Sequence, residues 1–578
     1  MYPSLKCPEV PFATSGTLSG AGMGVGSYVA GPSSLDLRIP MRAFAFILLA
    51  AGLLGAVTHQ TPEPVVQQLL ASGRDPDLRW PNLADVRADL TTVYDSRDWA
   101  PVWFRDDTLL SSARALLRTL EEAPVRGLRA EDYDAQWLAL QAARGDTAMI
   151  ARTDLAFSVA AARFALALRR GRVTPTSVDT SFHLAVDTFD LAGTVQELAA
   201  SDEPNDVLRR LEPPFLHYWL LMAALVRYRQ LSQDYALVDL PAMPRRLRPG
   251  DVYQGVGALR QLLWVLGDYR DSLPLPYLDS LYRGPVVAAV QRFQMRQGST
   301  PDGVIGETTR ERLSHPFDQR IRQLELSLER WRWMPRQFES PPVIVNIPAF
   351  RLYAFRSTDL DERTMLAMNV VVGTAFKTET PVFADELEYL IFSPYWDVTP
   401  TIAKKEIKPA ALKDPEYLTR NRFELVEKGE VVPPWLENIQ RIGAGVRVRQ
   451  TPGPHNALGL VKFVMPNDFQ VYLHDTPSKA LFERTRRDAS HGCIRLGDPL
   501  GLVKLLLHDQ PDWTDERIHA AMNAGEPTPV RLRAPVPIIV TYATALARLD
   551  GDVFFYPDIY GHDRILDQLL KKGYPYPP

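Results

Sequence analysis

"PPVIVNIPAFRLYAF", Pro341 to Phe355, is where the hydrophobic period of the chain changes. Before it, apolar residues recur at three- and four-residue spacing, the mark of amphipathic helices. From it onward, β-branched and aromatic residues alternate along the chain. "ERTMLAMNVVVGTAF", "YLIFSPYWDV", "GLVKFVMPN" and "FQVYLHDT" continue the alternation, and "VPIIVTYATALARLDGDVFFYPD" reads as two strands around an Asp550-Gly551 turn. The boundary therefore divides a multidomain α+β protein into a helical half and a mostly-β half.

Upstream, "RTDLAFSVAAARFALALRRG" and "PFLHYWLLMAALVRYRQL" belong to a helical scaffold domain over 61–245. Its scattered histidines and carboxylates read as surface or capping residues. A Pro-rich junction leads to 250–315, with helices expected over Val256–Leu266 and Pro285–Gln297 and a short third one after Gly306. "FDQRIRQLELSLERWRWMP", within 316–340, is one more amphipathic helix with Ile321, Leu324, Leu328 and Trp331 as its apolar stripe. Its Trp and Arg residues are expected to pack and form salt bridges.

Downstream, the β domain is expected over 341–536, with 537–578 completing it. Within it the β pattern lapses over 398–447, where "TPTIAKKEIKP" is polar, basic and helix-prone. So long a connection suggests a mobile lid outside the β core. Lys404, Lys405 and Lys408 are candidates to meet an anionic substrate, or else form a solvated face.

The first forty residues are Gly/Ser-rich. "MRAFAFILLAAGLLGAVTHQ" follows, with Arg42 before an uncharged run from Ala43 to Val57. A run of about 15 apolar residues fits a signal-peptide core better than a membrane span, which needs about 20. Residues 1–60 are thus expected to be dispensable leader and signal peptide or anchor, with translation starting at Met41. The chain has 2 cysteines, Cys7 and Cys493, so an exported form starting at Met41 retains Cys493 alone. A lone thiol in an oxidising compartment is a liability unless its chemistry is used. A net charge of -4 gives no sign of a nucleic-acid partner.

Cys493 lies in "ASHGCIRL", Ala489 to Leu496. A cysteine nucleophile acts as its thiolate, and a nearby imidazole can take the proton. His474 and His491 both precede it. On a strand, His491 and Cys493 would point to one side. Gly492 would let backbone approach a substrate and aim N–H groups at an oxyanion. Arg495 can grip a carboxylate in two-pronged fashion. Two other readings are a small buried cysteine and a zinc site from His474, His491 and Cys493 with His455. The absence of HExxH, CxxC or clean ligand spacing argues against zinc.

"SHGCIRL", with "YLHDTPSKALF" and "NALGLVKFVMPN" upstream, resembles the YkuD-type L,D-transpeptidase domain, in particular the large YcbB-type members. The segment 250–315 resembles the small three-helix peptidoglycan-binding module through "LRQLLWVLGDY", "AVQRFQMRQG" and "DGVIGETT". One departure is Asp475, where many smaller relatives carry glycine after the upstream histidine; it leaves open which group orients His474.

The resemblance implies a YkuD-like catalytic domain in the periplasm of a Gram-negative bacterium, exported or anchored to the inner membrane. Cys493 would attack a peptidoglycan tetrapeptide stem, release D-Ala and form a thioester. The amine of a second stem would resolve it into a 3→3 cross-link. His474 would be the general base and acid. His491 would shape the site or tune the thiolate, and Gly492 and Cys493 N–H groups would form the oxyanion hole. Arg495 would engage a stem carboxylate, with Tyr472 and Ser490 in support. No cofactor or metal is implied, the three-helix module would contact glycan strands, and carbapenem-type inhibitors would acylate the thiol. Water or a lipoprotein lysine as acceptor, and a wall-binding scaffold with a dead site, are the alternatives.

Overall fold

The computed structural model describes residues 62–576 except 145, 147–148, 183–188, 235–239, 272–278, 315–316 and 415. The leader reading for 1–60 lies outside the described residues. Among those described, no helix is long and apolar enough to cross a membrane.

The helical region is built around α1 (Ile150–Arg170), which is buried on nearly every side because its sequence has almost no polar face. Two of its interior polar groups tie the chain N-terminal to it. Asp154 accepts the Trp103 N–H at 2.7 Å and the Tyr94 hydroxyl at 2.7 Å, and Arg163 Nε donates to Asp85 at 2.9 Å. These corrections to the surface-or-capping reading follow from burial: loop backbone without strand partners takes side-chain partners, as Asp154 accepts the Val102 and Trp103 N–H groups and Arg163 donates to the Trp80 and Asn82 carbonyls.

Next come α2 (Leu216–Asp234) and the three-helix module of α3 (Val256–Val265), α4 (Pro285–Arg296) and α5 (Glu307–Ser314). The linking helix α6 (Asp318–Trp331) packs on α2 through fully buried Leu324 and Leu328, with Ile321 and Trp331 at the edge of the same core. Its Glu329 is fully buried. The carboxylate accepts Arg172 Nε at 3.2 Å, the Val173 N–H at 3.2 Å, Arg332 Nη1 at 3.3 Å, and the Arg172 N–H.

The β half is a nine-stranded sheet that curls on itself. Its strands are β1 (Val343–Asn346), β2 (Arg351–Ala354), β3 (Leu366–Gly373) and β4 (Phe383–Phe392), followed after an insertion by the rest. The insertion opens with β5 (Trp396–Asp397), contains β6 (Phe423–Glu427) and β7 (Glu430–Val432), and closes with β8 (Val446–Gln450). The main sheet resumes with β9 (Val461–Val464), β10 (Leu473–His474), β11 (Asp488–Ser490), β12 (Ile494–Leu496) and β13 (Thr528–Thr541). The order is β11-β3-β12-β10-β9-β4-β13-β1-β2, and β2 also pairs with β3, which closes the curl. The Asp550-Gly551 turn joins β14 (Ala545–Ala547) and β15 (Val553–Phe555), paired as a separate hairpin.

The insertion is more ordered than its composition suggests. β5, β8, β6 and β7 form their own four-stranded sheet, and Val398, Ile407, Leu418, Leu425, Val446 and Val448 contribute to a separate small core. The lapse of the β pattern over 398–447 is therefore only partial. "VRVRQ" alternates as a strand should and "FELVE" does so only in part, and both are too short and too interrupted by charge to stand out. Ahead of them a continuous helical run from Pro400 to Lys413 contains a π turn at Ala403–Ile407. Pro409 lies just beyond it; its ring lacks the N–H of an α-turn and would crowd the carbonyl four residues back, which the wider turn relieves.

Candidate active site

The site is assembled on three adjacent strands. β10 and β12 run parallel, with Leu473 opposite Ile494 and His474 opposite Arg495; β9 runs antiparallel to β10, with Lys462 opposite His474. Leu473, Ile494, Val461 and Phe463 point into the barrel core. The period of two then turns Lys462, Tyr472, His474, Cys493 and Arg495 to the other face. One register thus brings together the predicted Cys493, His474, Arg495 and Tyr472. It adds Lys462, which sequence reasoning missed. The available signal was a lysine between buried Val461 and Phe463 on a strand paired with the histidine strand.

The half-buried Cys493 thiol donates to the Gln470 carbonyl at 3.8 Å, and the Tyr472 hydroxyl faces the thiol and the Trp396 side chain. Lys462 Nζ stands 3.9 Å from the centre of the Tyr472 ring. Burial pushes the Cys493 thiol up, against the Tyr472 hydrogen bonds and the Lys462 and Arg495 charges. His474 is buried, and burial followed by the Arg495 charge pushes it down to about 3. At neutral pH the thiol is thus protonated and the imidazole neutral, with no preformed ion pair. Burial also lowers Lys462 and Arg495, each against the attraction of Cys493. Arg495 Nε is buried without a hydrogen-bond partner among the described residues.

The group left open at Asp475 is resolved by the main chain. His474 Nδ1 is hydrogen-bonded to the Asp475 carbonyl, so Nδ1 carries the proton and Nε2 is left as the acceptor. The Asp475 carboxylate points elsewhere, accepting the Leu460 N–H at 2.9 Å and pairing with Lys479. Gly459 makes this possible. It sits at φ +60°, and a Cβ there would lie 2.3 Å from Asp475 Oδ2.

The loop before the nucleophile differs from expectation. β11 stops at Ser490 and β12 begins at Ile494, with Gly492 between them at φ +113°. The strand argument that aimed His491 and Cys493 to one side does not apply to this turn. His491 is half-exposed and its Nε2 lies 2.8 Å from Glu406 Oε1, so it meets the insertion. The Gly492 N–H donates to Ser490 Oγ at 3.1 Å, and Ser490 Oγ donates to the Cys493 carbonyl at 2.6 Å. Of the two expected oxyanion donors, only the Cys493 N–H is not committed to Ser490.

Sequence reasoning also missed the supports of this loop. Thr380 Oγ1 donates to the Gly492 carbonyl at 2.7 Å and accepts the Gly373 N–H at 2.8 Å; the Tyr560 hydroxyl donates to the Gly373 carbonyl at 2.6 Å. No local motif marks residues so far apart in sequence. Of the insertion lysines, Lys404 and Lys405 are exposed. Lys404 packs its stem over Gly443, and Lys408 donates to the Gln440 carbonyl at 2.5 Å, which makes Lys408 a brace within the insertion. The insertion reaches the site through Trp396 and Glu406 instead. Among the described residues no group of three or more His, Cys, Asp or Glu is arranged to hold a metal ion.

Residues 341–531 match the family model of the YkuD L,D-transpeptidase catalytic domain, 253–313 that of a peptidoglycan-binding domain, and 88–225 that of a scaffold domain. A Haemophilus influenzae protein provisionally named an L,D-transpeptidase is 33% identical over 245 residues, which is 42% of this chain and 48% of that protein. The chain thus spans about half the length of this curated relative. The crystal structure of an L,D-transpeptidase from Xylanimonas cellulosilytica aligns over 52% of this chain and 100% of its own, with 14% identity and a TM-score of 0.16.

Proposed function

We propose, from the premise that this chain carries a YkuD-type L,D-transpeptidase catalytic domain beside a peptidoglycan-binding domain, that it forms 3→3 cross-links in peptidoglycan through a Cys493 thioester. The observation that carries the reading is the shared face of β9, β10 and β12. It holds one thiol, one imidazole with Nε2 free to accept, and two cations next to them.

In the reaction, His474 Nε2 takes the Cys493 proton as Sγ attacks the carbonyl at the L-centre of meso-diaminopimelate in a donor tetrapeptide. The same proton goes to the departing D-Ala nitrogen, and the acyl group stays on sulfur. The side-chain amine of a second stem attacks the thioester, gives a proton to His474, and leaves as the amide while the thiol is restored. The Cys493 N–H supports the oxyanion. Arg495 and Lys462 receive stem carboxylates. A bound carboxylate would offset the Arg495 and Lys462 charges, the part of the His474 depression that comes from charge and not from burial. The insertion, tied to the site by Trp396 and Glu406, acts as the cover that holds stems and restricts water, which would otherwise hydrolyse the thioester.

Cross-linking acts on the wall outside the cytoplasmic membrane. The reading therefore requires export, with Met41 to Gln60 as signal or anchor, and the family resemblance implies the periplasm of a Gram-negative cell. The family resemblance further implies that carbapenem-class β-lactams acylate Cys493; intact-mass spectrometry should register one adduct, and an adduct on a serine would point to a different enzyme class.

The deciding experiment incubates purified protein with a disaccharide-tetrapeptide and weighs the products. The expected product is a dimer lighter than two substrates by one D-Ala. Release of tripeptide alone would assign water as the acceptor. Unchanged substrate would overturn the enzymatic reading in favour of a wall-binding scaffold.

A further inference from the structure

A second feature lies outside the Cys493 centre. An open cleft of about 770 Å³ forms where the three-helix module, the β2–β3 edge, the segment leading into β11 and the β14–β15 hairpin meet. Thr300 of the module and Thr485 of that segment are hydrogen-bonded at 2.5 Å, so both sides of the cleft are joined.

Two arginines of this cleft, Arg351 and Arg487, make no ion pair among the described residues. Arg351 Nη1 donates to Asn369 Oδ1 at 2.8 Å. Arg487 donates to the carbonyls of Val370 at 3.2 Å, Phe350 at 3.1 Å and Arg484 at 2.7 Å, and shares Asn369 Oδ1 at 3.4 Å. All these acceptors are neutral. Each nearby acid is engaged or exposed: Glu362 pairs with His217 at 2.8 Å and faces Arg548 at 3.6 Å, Asp552 pairs with Arg270 at 3.1 Å, and Glu483 is solvent-exposed. Burial, then the Arg351 charge, pushes Arg487 down to about 10, the signature of like charges crowded away from water. A guanidinium pair of this kind is stabilised by a carboxylate that bridges it. Aromatic faces complete the wall. Phe554 and Tyr556 stack at 6.4 Å and 15°, and Arg487 lies over Phe350 at 5.3 Å.

The cleft is also wired to the reaction loop. The Arg487 carbonyl accepts the Val372 N–H at 2.9 Å, just before β11, and the Asn369 carbonyl accepts the Gly497 N–H at 2.9 Å, just after β12. Whatever lies against Arg351 and Arg487 is therefore registered with the segment that carries Cys493.

We propose that this cleft holds the wall polymer itself, an acidic saccharide–peptide strand, by its free carboxylates, with its sugars against the aromatic wall, and so sets the register of the strand on which Cys493 works. The proposal rests on the wall being the substrate, and binding tests it separately from chemistry. Cys493→Ser protein is mixed with intact peptidoglycan sacculi and the bound fraction measured by sedimentation. Arg351→Gln and, independently, the exposed Arg484→Gln are expected to lower binding at least fivefold. Amidation of the sacculus carboxylates is expected to lower parent binding equally, with no further loss in the variants. Parent-like binding by both variants, or binding indifferent to amidation, would overturn the cleft assignment whether or not the tetrapeptide assay finds cross-linking. Variants that lose binding to polyglutamate yet keep binding to sacculi would assign the cleft to an acidic protein and also overturn it. Arg351→Lys, which keeps the charge without the fork, is expected to bind between the parent and Arg351→Gln.

Discussion

Glu329 and Cys493 are each set beside two cations, yet they are opposites. Burial alone would push the Glu329 carboxyl up, but Arg172 and Arg332, with the N–H groups of Arg172 and Val173, hold it below its ordinary range. Its two oxygens accept four hydrogen bonds at the junction of the helical and β halves. At the Cys493 centre no group is so matched. The thiol is pushed up, the imidazole is pushed down, and Arg495 Nε has no partner among the described residues. The Glu329 carboxylate is fully satisfied by the fold, although Arg172 Nη2 and Arg332 Nε, like Arg495 Nε, are buried without a hydrogen-bond partner among the described residues. What sets the Cys493 centre apart is that burial there shifts a thiol and an imidazole toward their neutral forms with no counter-charge to reverse it.

The contrast can be broken most sharply at the nucleophile. Cys493→Ala is expected to lower transfer by several orders of magnitude while leaving the melting curve unchanged. A folded variant with parental turnover would end the thioester mechanism. At the opposite centre, Glu329→Gln leaves Arg172 and Arg332 buried without their counter-charge. Its expected effect is a loss of about 3 to 5 kcal/mol in guanidinium unfolding, with thiol labelling of the folded fraction unchanged. Parental stability there would show that the Glu329 cluster is not structural.

The pH dependence sharpens the comparison further. Because the ligand-free thiol is raised, its alkylation should be slower than that of free cysteine at neutral pH and should climb with pH to a midpoint above the ordinary one. Lys462→Met removes a cation that favours the thiolate, so the midpoint should move higher still. Labelling at neutral pH should then fall severalfold, in step with the smaller thiolate fraction. A downward move would contradict the placement of Lys462. The smallest effect is expected at His491. Its contact with Glu406 is half-exposed on both sides, so His491→Ala should change stability by less than about 1 kcal/mol. It should instead raise hydrolysis relative to transfer by loosening the insertion. An unchanged product ratio would remove His491–Glu406 from the account of the cover.

The sequence made some of this legible and hid the rest for identifiable reasons. The switch of period at Pro341, the three helices of the module and the compact motif around Cys493 were all readable, because each is local. The small sheet of the insertion was not, since "FELVE" and "VRVRQ" are short and charged and are joined only through pairing 19 residues or more apart in sequence. Asp475 invited a side-chain role for its carboxylate, whereas its backbone carbonyl orients the histidine. His491 was expected beside the thiol because a strand was assumed where Gly492 makes a turn.

What the sequence determined by itself is therefore the inventory and its order: a helical half, a β half, one motif cysteine with a histidine upstream, and an arginine two residues beyond. What only the tertiary structure decided is the state of that chemistry. Whether the imidazole rests neutral, whether Gly492 keeps its N–H for a substrate, and whether Lys462 joins the site depend on burial and on neighbours from β9, β10, β12 and the C-terminal Tyr560. Those neighbours are brought close by sheet register, and the energy of a charge depends on what surrounds it in space, which no local pattern of residues records.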